Sequence, residues 1–179
     1  MKITNKHIQP IIDWCYKGDN LKLSPSLISL KDHKGEVWGF PKLNETPLKL
    51  SSTSFPYSEL AEIEHEILSK YRFKDYYREE KFGNILSFSK AGHQVHEHSD
   101  PAMMGNKYIH TRINVFISKP EEGGLAIING DIIDVDELET WICLASEYLH
   151  STTMVKGIKD RIVLSFGYNI NRNELEEWL

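Results

Sequence analysis

Cysteine is scarce in this chain: Cys15 and Cys143 are the only two in 179 residues. Two are too few for a disulfide framework, and neither sits in a CxxC or zinc-like spacing. A chain of this length buries roughly 70% of the surface it exposes when unfolded, so it folds without such staples. The scarcity points to a reducing compartment, and a cytoplasmic protein is the expectation. Long apolar runs are also missing. No stretch approaches the ~20 residues of a membrane-spanning helix. The opening Met1-Lys2-Ile3-Thr4-Asn5-Lys6-His7 has no apolar core of the secretory kind. Neither secretion nor a membrane partner is expected. Basic residues do not dominate either: 21 Lys and Arg stand interspersed among 26 Asp and Glu, a net charge of -5. With no basic surface to meet a phosphate backbone, nucleic acid is not an expected partner. Internal repeats, low-complexity tracts and linkers are absent as well, so the reading is one domain over residues 1–179.

What is present changes character along the chain. Residues 6–17 carry Ile8, Ile11, Ile12 and Cys15 at helical spacing, with Pro10 in an opening turn and Gly18 as a stop. Residues 21–54 are broken by Pro25, Gly35, Gly39, Pro41 and Pro47 into short strands and turns, with Trp38-Gly39-Phe40-Pro41 as an edge strand. Next, Ser58 reads as an N-cap, and Leu60, Ile63, Ile67 and Tyr71 form the apolar stripe of a second helix. Beyond Lys81 the period shortens to strands separated by turns, an all-β core with helices packed outside it. The expected strands are 84–90, 94–98, 108–118, 124–128, 139–145 and 161–168, with turns at Asp100-Pro101, Gly105-Asn106, Gly123-Gly124 and Asn129-Gly130. Asn171 or Asn173 caps a last short helix holding Leu175 and Trp178.

One constellation in this β region carries chemistry: His98-Ser99-Asp100, then His150, then Arg161. Two imidazoles and a carboxylate occupy one face of an octahedral Fe(II) and leave three positions open for an organic cosubstrate and dioxygen. On an extended segment His98 and Asp100 point to one side and Ser99 to the other. Arg161 lies eleven residues after His150 and opens the apolar run Ile162-Val163-Leu164-Ser165-Phe166. That setting implies burial, and a buried guanidinium needs an anion, such as the remote end of a dicarboxylate. Alternation puts Arg112, Asn114 and Phe116 on one side of their strand, and Arg161, Val163 and Ser165 on one side of theirs. Other readings stay open. His96-Glu97-His98 is also an HxH pair of the cupin type, although no Glu follows within a few residues. A non-catalytic metal-binding module of that kind is the contrasting class. Arg112 and Asn114 are balanced between touching a cosubstrate and bonding within the sheet, while Trp141 and Met104 read as packing.

Taken in order, His98-Ser99-Asp100, His150 about fifty residues on, and Arg161 resemble the HxD…H…R pattern of the 2-oxoglutarate and Fe(II)-dependent dioxygenases. Arg112-Ile113-Asn114-Val115-Phe116-Ile117-Ser118 followed by Glu121-Glu122-Gly123-Gly124-Leu125 is similar to the strand and Gly-Gly turn of their prolyl-hydroxylase-like branch. The resemblance covers about residues 81–170. It implies a double-stranded β-helix, that is, a jelly-roll or cupin-like barrel, with the barrel core at about 81–170 and helices and outer strands at 1–80. It implies His98, Asp100 and His150 as iron ligands and Arg161 as the anchor of 2-oxoglutarate, with Arg112, Asn114 and Ser165 as further cosubstrate-site candidates. Many members of the branch also use a Tyr hydroxyl there; Phe88 and Phe116 stand on the corresponding strands, and Arg112, Asn114, Ser165 and Tyr108 are the candidate replacements. The implied reaction consumes O2 and 2-oxoglutarate, releases succinate and carbon dioxide, and hydroxylates an aliphatic C–H. Relatives that halogenate instead carry a small residue where this chain keeps Asp100. A protein or peptide side chain is the favoured substrate, with a free amino acid or other small metabolite as the alternative.

Overall fold

The structure, a computed structural model, describes residues 1–4, 6–17, 26–33, 36–40, 48–50, 55–81, 83–102, 104–176 and 178, with the segments between 26 and 50 described by backbone alone. Gly18, Pro25, Gly35, Pro41 and Pro47, expected as breaks, lie outside the described residues.

Helix α1 (Gln9–Cys15) starts with Pro10 in its first turn, where the missing N–H costs nothing. It buries Ile11, Trp14 and Cys15. Helix α2 (Tyr57–Tyr71) buries the anticipated stripe of Leu60, Ile63, Ile67 and Tyr71. Its start differs from expectation. The N-cap position belongs to Pro56, and the Ser58 hydroxyl bonds Glu59 rather than a free backbone N–H. The proline ring pre-sets φ, and Tyr57 N–H already donates to Phe55 carbonyl, so the helix begins before Ser58 is reached.

The β elements are β1 (Ser26–His33), β2 (Glu36–Phe40), β3 (Leu48–Leu50), β4 (Tyr76–Arg78), β5 (Ile85–Ser89), β6 (Tyr108–Ser118), β7 (Ala126–Ile128), β8 (Asp131–Ile133), β9 (Thr140–Cys143), β10 (His150–Thr152) and β11 (Arg161–Asn171). A large sheet runs in the order β3-β2-β1-β5-β11-β6-β9, with β4 also on β11; a small one runs β10-β7-β8. Every pairing is antiparallel. The Trp38 segment is therefore not an edge: β2 is flanked by β1 and β3. The expected strand at 94–98 is reduced to one isolated bridge, His98 to His150, because Val95 pairs with Thr152 partly through a side chain, Val95 N–H to the Thr152 hydroxyl. The final strand runs three residues past its expected end, to Asn171, since Ile170 is still buried and still paired with Ile109. Asn171 caps the short helix α3 (Arg172–Leu175), its side chain accepting from Asn173 N–H.

Strand β11 organises both faces of the large sheet. Ile162, Leu164, Phe166, Tyr168 and Ile170 join Ile11, Ile63 and Ile67 in the main apolar core, so α1 and α2 cover that side. The opposite face carries Arg161, Val163, Ser165, Gly167 and Asn169, in register with Phe116, Asn114, Arg112 and His110 of β6. A second apolar cluster of Phe116, Ala126, Trp141 and Val163 joins this inner face to the small sheet. The result is the expected architecture: two antiparallel sheets facing each other in the manner of a double-stranded β-helix, with helices outside. Cys15 and Cys143 are both buried and unbridged. Among the described residues, no helix is long and apolar enough to cross a membrane.

Candidate metal centre and anion pocket

His98 and His150 exchange both backbone hydrogen bonds, N–H to carbonyl at 3.0 and 2.8 Å. That reciprocal pair sets their imidazoles side by side, with ring centroids 4.3 Å apart. Each ring is also oriented from behind. His98 Nδ1 meets the carbonyl of His96 at 2.8 Å, and His150 Nδ1 meets that of Tyr148 at 3.0 Å. With the proton held at Nδ1, the Nε2 lone pair of each ring is left for a metal. Burial holds His150 below the ordinary histidine value, which keeps it in the neutral, ligating form. Asp100 completes the group: its N–H bonds the carbonyl of Ala145 at 2.7 Å, and Oδ1 lies 3.7 Å from His98 Nε2.

One ligand atom from each of His98, Asp100 and His150 lies within 4.8 Å of the others, a set that can hold a metal ion. It is the only such group of three among the described residues. His96, the other member of the HxH reading, is outside it; its carbonyl orients His98 instead. The donor chemistry, two nitrogens and one oxygen without thiolate, suits iron and related divalent ions.

Arg161 lies on the inner face of β11 and is almost fully buried, 4% exposed. Nε donates to the carbonyl of Gly124 at 2.7 Å, Nη1 to the Ser87 hydroxyl at 3.0 Å, and the guanidinium carbon sits 5.6 Å from the centre of the Phe116 ring. Both hydrogen-bond acceptors are neutral, and among the described residues no carboxylate pairs with Arg161. Burial pulls its pKa down to about 10, which still leaves it a cation at neutral pH. A buried cation without an anionic partner is costly, and such a setting is open to an anion. Gly124 makes the arrangement possible: its φ is +65°, and a Cβ there would meet Arg161 Cδ at 3.0 Å and Pro120 Cγ at 2.8 Å.

The remaining candidates divide. Asn114 and Ser165 are buried opposite each other on β6 and β11, and the Asn114 amide bonds the carbonyl of Arg112. Arg112 lies away from Arg161, held by the carbonyl of Gly83, by Glu79 and by the carboxylate of Asp100. Tyr108 is remote too, its hydroxyl bonded to Asp75. Phe88 points into the main core, and Phe116 packs on Trp141 with ring centroids 4.8 Å apart. Ser87 was not singled out from the sequence. The signal was available, since alternation in β5 sets Ser87 and Ser89 opposite Leu86 and Phe88.

Comparison of the sequence with protein-family models and with curated proteins finds no match. Comparison of structures does. The viral collagen prolyl hydroxylase of Paramecium Bursaria Chlorella virus-1, solved as a 2OG complex, is similar at a TM-score of 0.55 and 17% identity over 95% of this chain and 92% of the viral one. A prolyl-4-hydroxylase of Pseudomonas putida is similar at 0.51 and 11%, over 95% and 89%. The nickel complex of the non-heme monooxygenase ThoJ is similar at 0.59 and 14%, over 94% and 71%. At these identities the likeness is one of fold, and it spans nearly the whole of this chain.

Proposed function

We propose that this chain is an Fe(II)- and 2-oxoglutarate-dependent dioxygenase that hydroxylates an aliphatic C–H of a protein or peptide side chain. The observation that carries the reading is a pairing: a 2-His-1-carboxylate group, and, on the inner face of the sheet that meets Asp100, a buried arginine that pairs with no carboxylate among the described residues. A metal-binding scaffold has use for the first but not for the second. The fold shared with two prolyl hydroxylases and a non-heme monooxygenase agrees with it.

In this reading His98, His150 and Asp100 would hold the metal. Bound there with 2-oxoglutarate, Fe(II) supplies the oxidising chemistry that dioxygen drives at a C–H bond. The residues around it bind, orient and exclude water. Arg161 and the Ser87 hydroxyl take the remote carboxylate of 2-oxoglutarate, a charge-assisted contact in a dry setting. Ser87 thereby supplies the hydroxyl that Phe116 lacks. Asn114 and Ser165 stand on the inner face between Phe116, which lies under Arg161, and Arg112, which meets Asp100. Phe116, Trp141, Ala126 and Val163 form an apolar wall that keeps water from the pocket. Because Asp100 is kept, the position that halide takes in relatives with a small residue there would be filled by the carboxylate, and hydroxylation is the expected outcome.

The preference for a protein or peptide substrate rests on the mouth of the site. The His98 side chain is 45% exposed, and Leu149 just before His150 and Met104 four residues after Asp100 are exposed as well. A residue presented on an extended chain reaches such a metal without passing through a closed cavity. The test has two stages. Titrating 2-oxoglutarate into the anaerobic Fe(II) protein should raise a visible charge-transfer band, and the Arg161→Ala protein should lose most of that affinity. Succinate release should then rise with peptide pools rather than metabolite pools. A protein that binds Fe(II) but shows no band at millimolar 2-oxoglutarate is no oxygenase of this kind.

A further inference from the structure

The two oxygens of Asp100 face different surroundings. Oδ1 looks toward His98 Nε2, whereas Oδ2 lies 3.7 Å from Arg112 Nε and 3.6 Å from His110 Nδ1. Both neighbours come from the inner face of β6, and both are buried, Arg112 at 5% and His110 at 2% exposure. Arg112 is fixed on its far side. Nη1 donates to the carbonyl of Gly83 at 2.7 Å, and Nη2 to Glu79 Oε2 at 3.1 Å. Glu79 is itself buried and accepts from Gly83 N–H at 2.9 Å. Across the ladder from Arg112 stands Gly167, where a Cβ would lie 2.7 Å from Arg112 Nη1; the strand leaves room for the guanidinium only because that side chain is absent. Among the described residues neither ring nitrogen of His110 has a hydrogen-bond partner, which leaves its Nδ1 facing Asp100.

We infer that Arg112 and His110 are positioning residues that clamp the second oxygen of Asp100, so that this carboxylate offers a metal one oxygen only. Glu79 is the reason the clamp does not consume its target. A lone buried guanidinium would draw Asp100 into a full ion pair, but Arg112 already has a carboxylate of its own and gives Asp100 only its Nε edge. One-oxygen ligation matters because it keeps the coordination count at three protein donors. The inference rests on the proposed metal site and says how this chain holds it.

Arg112→Lys keeps the charge and the link to Glu79, but an ammonium cannot reach Gly83, Glu79 and Asp100 together. Glu79→Gln/Arg112→Met removes both buried charges at once, so neither Glu79 nor Arg112 is left as a lone buried ion. Co(II) titrated anaerobically into each folded variant, followed by its visible d–d bands, reads affinity and coordination without any turnover. Both variants should bind Co(II) about 10- to 100-fold more weakly than the parent, with bands altered in position and intensity. A purely structural role would lower the melting temperature of the metal-free variants and leave the bands unchanged. Parental affinity and bands in both variants overturn the clamp while leaving the metal site intact. A parent protein that binds no Co(II) overturns the clamp and the proposed function together.

Discussion

Arg161 shows how much a single side chain decides. Its guanidinium is buried, held by a carbonyl and a hydroxyl, and lies over an aromatic ring, an arrangement fitted to a planar fork rather than to a point charge. Arg161→Lys keeps the cation but cannot satisfy Gly124, Ser87 and a bound carboxylate together. Its affinity for 2-oxoglutarate should fall by about 30-fold, since losing part of a buried charged contact costs about 2 kcal/mol. Calorimetric titration of the metal-loaded protein checks this, and a Lys variant with parental affinity would remove Arg161 from the binding site. The thiols give a second residue-scale outcome. Burial pushes both Cys15 and Cys143 up to about 12, so neither is a thiolate at pH 8. Both should resist a thiol-disulfide reagent in the folded protein and react promptly once denaturant is added; fast labelling of the native chain would contradict their burial.

At the scale of elements, β11 carries two programmes on alternate residues. Phe166 is fully buried on the helix-covered side, so Phe166→Ala should cost about 3–5 kcal/mol by cavity formation. Ser165, one residue earlier and facing inward, makes no such packing. Ser165→Ala should change stability by less than about 1 kcal/mol. Chemical denaturation separates the two, and equal costs would mean that the faces are misassigned. The turn before β7 is a second element with a defined task. Gly124 sits at a φ of +65° with Arg161 Cδ over it. Gly124→Ala combines backbone strain of about 1–3 kcal/mol with a displaced Arg161, so denaturation midpoint and 2-oxoglutarate affinity should fall together. Loss of stability alone would show that the turn does not position the arginine.

For the whole molecule, the two sheets meet at one candidate metal group. His98 and His150 belong to the small-sheet side, joined by their backbone pair, while Asp100 Oδ2 faces residues of the large sheet. A metal bound to all three therefore ties the two layers together. At a free metal concentration 100 times Kd the gain is about 2.7 kcal/mol, or roughly 5–10 °C in Tm for a domain of this size. Thermal melts with and without Co(II) or Ni(II) measure it. His150→Ala should abolish the metal-dependent rise while leaving the metal-free melt nearly unchanged, because His150 is only partly buried.

The residue types decided much in advance. Alternation in 108–118 and 161–168 was enough to place those strands and to sort their faces, since a period of two leaves few other solutions. The apolar stripe of α2 was equally legible, because helical periodicity is a local property. The order of His98, Asp100, His150 and Arg161 carried the resemblance on which the proposed chemistry rests. Other features have no local signature. Whether His96 or Asp100 joins His98 depends on which backbone pairs with residue 150, and that is a long-range contact. Arg112 is balanced between a cosubstrate contact and a structural role until Glu79 and Gly83 are seen beside it. Ser87 looks like any strand serine until β11 sets Arg161 against it. Periodicity and residue chemistry thus determined the strands and the kind of site, whereas the partner of each buried charge was decided only when packing brought remote segments together, because a charge in a dry interior takes its role from what lies next to it.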